Sequence, residues 1–127
     1  MNQTLQFQVK PEQAKTYLFL PFTMPPDVEV FSLVYRYDRY AEIDAQSGGG
    51  DFVSRKEINI IDLGLIAPDG TQVGYSGGTY AELAVSETQA SPGYRPHSLV
   101  PGEWNILVGA YKVAPEGVTV TYELTFT

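Results

Sequence analysis

The chain contains no cysteine. Disulfides and thiolate metal sites are thereby excluded, nothing calls for an oxidising compartment, and a reducing cytoplasm is the expected setting. Histidine occurs once, at His97, so the usual zinc ligand sets cannot be assembled from these residues. Basic side chains are few: 8 Lys and Arg face 15 Asp and Glu, a net charge of −7. A phosphate backbone would be repelled, and the nearest basic clustering, Arg36 and Arg39 among Tyr35, Tyr37 and Tyr40, is shared with Asp38, Glu42 and Asp44. Nucleic acid is therefore not an expected partner. No apolar run is long enough to span a bilayer, and Leu5, Phe7 and Val9 alternate with Gln6, Gln8 and Lys10 where a signal peptide would need a continuous apolar core. A soluble protein without a membrane partner is expected.

Helical periodicity is also missing, since no window of helical length repeats apolar residues at three-four spacing. What is present instead is alternation. In residues 118–127, Val118, Val120, Tyr122, Leu124 and Phe126 alternate with Thr119, Thr121, Glu123, Thr125 and Thr127, which puts one face of a strand on a core and the other in water. Further strands are expected over residues 5–10, 16–22, 28–37, 59–67, 71–75, 80–85 and 104–113, with Ala81, Leu83 and Val85 of the sixth of these facing inward. Pro25-Pro26-Asp27 forces a break between the second and third. Ala67-Pro68-Asp69-Gly70 and Ala114-Pro115-Glu116-Gly117 share one turn chemistry, proline presetting φ and glycine taking the left-handed conformation, and both predict hairpins. Residues 1–127 thus read as a single all-β domain, a two-sheet antiparallel β-sandwich, jelly-roll-like, of seven or eight strands. Two stretches are expected as loops: residues 38–56, with Gly48-Gly49-Gly50, and residues 86–100, where Ser86-Glu87-Thr88-Gln89 has room for only a short turn before Pro92.

Several residues invite a chemical reading. Asp62 falls on the same strand face as Ile60, Gly64 and Ile66, and a carboxylate among apolar neighbours must accept hydrogen bonds or meet a cation; it either ties down a neighbouring loop or contacts a ligand or partner. Tyr75, Tyr80 and Tyr94 sit beside glycines, where aromatic rings either pack over sheet ends or stack on sugars and anchor protein contacts. Tyr75-Ser76-Gly77-Gly78 lacks the helix and lysine of a phosphate loop and reads as a bulged hairpin end. His97 has no Gly-x-Ser-x-Gly elbow to serve, although Ser76 or Ser98 with a distant carboxylate would complete a triad on paper. Asp38, Glu42, Asp44 and Asp51 offer oxygen ligands for calcium without any EF-hand spacing, so a solvated acidic loop is the simpler reading.

Taken in order, Ile61-Asp62-Leu63-Gly64-Leu65, Ala67-Pro68-Asp69-Gly70, Tyr75-Ser76-Gly77-Gly78, Ser91-Pro92-Gly93-Tyr94, Pro101-Gly102-Glu103-Trp104 and Leu107-Val108-Gly109-Ala110-Tyr111-Lys112-Val113 with Pro115-Glu116-Gly117 resemble the N-terminal β-sandwich of bacterial CehA/McbA-type metallohydrolases, members of the PHP (polymerase and histidinol phosphatase) superfamily. A weaker similarity to pre-peptidase C-terminal-like sandwiches rests on Leu99-Val100-Pro101-Gly102-Glu103-Trp104. The PHP resemblance implies a non-catalytic accessory domain that shapes the entrance of a metal-dependent phosphoesterase or mediates assembly. Its partner would be a catalytic domain of the same polypeptide beginning after Thr127, with a homo-oligomer as a further form. The clustered His, Asp and Glu of the PHP metal centre match no residues here, so no catalytic residue, metal or cofactor is carried over. Asp62, Tyr75, Gly77, Gly78 and Tyr94 are the residues expected to contact a ligand or partner, and Trp104 is expected in the core. The alternatives are a stand-alone carbohydrate- or calcium-binding module and a hydrolase working through His97.

Overall fold

In the computed structural model, residues 1–44, 53–77 and 81–127 are described. Their strands are β1 (Asn2–Val9), β2 (Thr16–Met24), β3 (Val30–Arg36), β4 (Tyr40–Asp44), β5 (Val53–Glu57), β6 (Ile60–Ile66), β7 (Gln72–Ser76), β8 (Glu82–Ser86), β9 (Gly102–Lys112) and β10 (Val118–Phe126). Two four-stranded antiparallel sheets form, in the orders β1-β10-β3-β8 and β2-β9-β6-β7. Apart from the β6–β7 hairpin and a β4–β5 ribbon, the strand connections carry the chain from one sheet to the other. That is the jelly-roll arrangement of an all-β sandwich.

Alternation explains both layers. In β10 the residues from Val118 to Phe126 are buried at every second position, and β3 repeats the pattern with Phe31, Leu33 and Tyr35. The opposite sheet answers with Ile61, Leu63 and Leu65 from β6 and Trp104, Ile106 and Val108 from β9, all buried between the layers. Trp104 is fully buried as expected, its indole N–H donating to the Val100 carbonyl at 2.8 Å. The Ser86–Gln89 stretch is the expected short turn, closed by Ser86 N–H to the Gln89 carbonyl at 2.8 Å.

Three expectations need correction. The segments flanking Pro115 do not form a hairpin: β9 pairs with β2 and β6, β10 with β1 and β3. The turn itself is as expected, with Gly117 at φ 80° and its N–H on the Ala114 carbonyl at 2.8 Å. Both strands are already flanked on each edge, so the turn arches between sheets, and the Ala114 N–H is met by the Asn59 side chain at 2.8 Å. By contrast, Gly70 at φ 88° closes the true β6–β7 hairpin with the same bond to Ala67. The stretch 38–56 is more than a loop, because β4 and β5 pair within it from Tyr40↔Glu57 to Asp44↔Val53; Gly48, Gly49, Gly50 and Asp51 lie outside the described residues. Ala81 is exposed, since its strand starts one residue later at Glu82, while Leu83 and Val85 are buried as expected.

Among the described residues the core carries one polar anomaly. Tyr35 and Tyr37 reach across the layers to Ile61, Tyr35 donating to its carbonyl at 2.7 Å and Tyr37 accepting its N–H at 3.0 Å. Tyr122, stacked on Tyr35 at 5.8 Å, is fully buried and its hydroxyl finds no protein partner. An unsatisfied buried hydroxyl costs roughly 1–3 kcal/mol. Tyr122→Phe should therefore stabilise the fold by about 1 kcal/mol and raise Tm by about 3–5 °C. Thermal denaturation followed by circular dichroism checks this; a lower Tm would mean that an internal water holds the hydroxyl.

Candidate functional site

The outward face of the β2-β9-β6-β7 sheet is apolar where a solvated sheet face is normally polar. Pairing registers set two rows across it. One runs Tyr17, Gly109, Asp62; the next runs Phe19, Leu107, Gly64, Tyr75. Tyr17 and Phe19 remain exposed, at 63% and 58%, as does Tyr111 at 62%, whereas Leu107 is covered.

The glycines in these rows create a hollow. At Gly64 a Cβ would meet the Leu107 Cβ at 2.8 Å, and at Gly109 it would meet the Tyr75 hydroxyl at 2.6 Å. Because neither position has a side chain, the Tyr75 ring can lie along the sheet, and its hydroxyl donates to Asp62 Oδ2 at 2.7 Å. Tyr17 stands edge to face against Tyr75, with ring centroids 6.2 Å apart and an interplanar angle of 73°. A depression of about 290 Å³ lies between Lys15, Tyr17, Asp62, Tyr75, Gly109 and Tyr111. It adjoins a second, of about 510 Å³, along Phe19, Ile66, Gln72 and Leu107. Burial first, and then the hydrogen bond to Asp62, push the Tyr75 hydroxyl well above its ordinary range, so it stays a neutral donor at any physiological pH. Among the described residues Asp62 Oδ1 has no hydrogen-bond partner.

Three of the sequence candidates therefore converge: Asp62, Tyr75 and Gly77, where an added Cβ would stand 3.9 Å from Asp62 Oδ1. Asp62 does tie down a neighbour, but the neighbour is the β7 strand and not a loop. Gly78 and Tyr80 lie outside the described residues. Tyr94 is on the core side, 8% exposed, donating to the Leu63 carbonyl at 3.0 Å and lying 3.0 Å from the Ser76 hydroxyl. It clamps the 91–95 segment onto β7 through an isolated bridge to Gly74. Tyr17, Phe19, Gly109 and Tyr111 line the hollow and were not singled out. The available signal was in β2, where Tyr17 and Phe19 oppose Leu18 and Leu20 and leave the strand apolar on both faces.

The remaining candidates lie elsewhere. His97 stands edge-on to Trp104 at 5.7 Å and its Nδ1 donates to the Ser98 carbonyl at 2.7 Å, while the Ser76 hydroxyl is engaged by Tyr94. Arg36 pairs with Glu123 at 3.1 Å and Arg39 with Glu57 at 2.5 Å. Among the described residues no three His, Asp or Glu side chains converge on a point that would hold a metal, and no helix is long and apolar enough to cross a membrane. Comparison of the sequence with protein families found no matching family, and comparison with characterised proteins found no match.

Proposed function

We propose that this chain is a non-catalytic accessory β-sandwich of the kind that stands beside a PHP-type metal-dependent phosphoesterase, shaping access to its active site or mediating its assembly. One observation supports the reading: motifs far apart in the sequence are parts of one construction. Asp62 from the first motif, Tyr75 from the third and Gly109 from the last meet on the outer face of a single sheet. Ser76 and Tyr94, from the third and fourth, are joined beneath them at 3.0 Å. Side chains spent on a shared surface and its support, with the only histidine turned to packing, suit a contact role better than a chemical one.

The test is direct. The 127-residue protein should leave phosphomonoesters and phosphodiesters intact in manganese- or zinc-supplemented buffer, and the reading frame beyond Thr127 should continue into a segment rich in His, Asp and Glu. Turnover by this chain, abolished by His97→Ala, would establish the hydrolase reading in its place. A stand-alone carbohydrate-binding module is the second reading, favoured by the aromatic hollow around Asp62.

A further inference from the structure

We propose that the hollow between Tyr17, Asp62, Tyr75 and Tyr111 is a binding site for the ring of a neutral pyranose sugar. The inference names the ligand class of the second, carbohydrate-binding reading and rests on that reading; it does not depend on the accessory role.

Four features of the hollow match that ligand. Its walls are exposed aromatic rings, and Tyr17 and Tyr111 keep most of their surface in water although an apolar face of this kind is normally covered. A sugar presents a C–H face that such rings cover. Its floor is the Tyr75 ring, whose hydroxyl fills the space a side chain at Gly109 would take, so a sugar would meet the tyrosine and the Asp62 side chain beside it. Its polar equipment is mixed: Asp62 and Lys15 both line it, a carboxylate that accepts and an ammonium that donates, which is what adjacent sugar hydroxyls, each both donor and acceptor, require. Finally, Asp62 is held before any ligand arrives, since the Tyr75 hydroxyl fixes its Oδ2 at 2.7 Å. The volume of about 290 Å³ is near the lower end of ligand sites, ~300–1,000 Å³, and suits one sugar ring.

Competing ligands fit less well. A quaternary ammonium or arginine needs aromatic faces converging on a point, whereas Tyr17 and Tyr75 meet edge to face and Lys15 stands at the rim. An anionic sugar, such as a uronate or sugar phosphate, would meet Asp62 and a chain of net charge −7.

The experiment is a heteronuclear NMR titration of the 127-residue protein with the methyl pyranosides of glucose, galactose, mannose, xylose and N-acetylglucosamine. At least one should give saturable shifts centred on the amides of Asp62, Tyr75 and Gly109, with Kd in the millimolar range, about 10⁻³ M. Asp62→Asn should weaken it about tenfold by removing a charged acceptor, and Tyr111→Ala, at an exposed position where folding is not at stake, about fivefold. Glucuronate, glucose phosphate and tetramethylammonium should bind at least about tenfold more weakly than the best neutral sugar. The proposal is overturned by shifts absent from the whole panel, shifts centred elsewhere, unchanged affinity in both variants, or tighter binding of any charged probe.

Discussion

Raising the pH from 9 to 12 is expected to unfold this protein cooperatively, with tyrosine ionisation as the cause. Tyr35, Tyr94 and Tyr122 are almost wholly buried. Burial is the leading reason that each hydroxyl holds its proton more tightly than the ordinary value of 10: Tyr94 is pushed up to about 12, Tyr35 and Tyr122 higher still. Below pH 10 the folded and unfolded chains both keep these protons, and stability does not respond. Above it the unfolded chain releases them while the folded chain does not, so the unfolded state is favoured progressively as pH rises. Each such group contributes a slope of about 1.4 kcal/mol per pH unit, and three acting together about 4. A domain with about 5 kcal/mol of stability would lose it between about pH 11 and 12. Fluorescence of Trp104, the one tryptophan, reports the core, and near-ultraviolet absorbance counts tyrosinates. The two should show late-titrating tyrosines ionising only as the core opens. Tyr122→Phe should reduce the slope by about a third. Smooth ionisation of all nine tyrosines near pH 10 with Trp104 fluorescence unchanged would sink the argument.

What the sequence disclosed follows from how local each determinant is. Strand β10 was legible because its alternation is unbroken over nine residues and its inward side chains are all large. β4 and β5 are only five residues each, YAEID and VSRKE, and mix charged with apolar residues, so no long apolar alternation marked them. The turns at Gly70 and Gly117 show the limit of turn chemistry. Both have glycine at positive φ bonded to the residue three before it, yet one closes a hairpin and the other changes sheets, because the choice depends on which neighbours already flank β9 and β10. The hollow was half visible. Asp62 stood out since a carboxylate among isoleucines and leucines is anomalous within its own strand, and Tyr75 since it adjoins glycines. Gly109 and Tyr17 gain meaning only when β2, β9, β6 and β7 lie side by side in register, and that register is a property of the whole sheet.

Among the described glycines, Gly74→Ala is expected to be the most damaging added methyl, costing about 3 kcal/mol and lowering Tm by roughly 10 °C. Gly74 lies opposite Leu65 on the core side of β7, and the ring of Tyr94 occupies the volume where its side chain would be. A Cβ there would fall onto the ring itself, 2.5 Å from Tyr94 Cγ and 2.6 Å from the Gly93 carbonyl oxygen. Retreat is blocked on every side. The Gly93 carbonyl accepts from Tyr75 N–H at 3.1 Å, Tyr94 N–H donates to Ser91 at 3.0 Å, and Arg95 N–H donates to Val73 at 3.0 Å. The Tyr94 hydroxyl is fixed by Leu63 and Ser76, so moving the ring breaks a buried polar contact. Two comparisons separate this clash from a general intolerance of substitution. Gly77→Ala, three residues on, meets among the described residues only Asp62 Oδ1 at 3.9 Å and should change stability by less than about 0.5 kcal/mol. In a Tyr94→Ala background the ring is gone, so the added cost of Gly74→Ala should fall by about 2 kcal/mol, a coupling that chemical denaturation of the four proteins measures. Equal tolerance of alanine at 74 and 77 would show that the 91–95 segment can lift away from β7. In that case Tyr94 would no longer be the buried clamp beneath the Asp62–Tyr75 surface, and the convergence of motifs that supports the accessory reading would lose its structural basis.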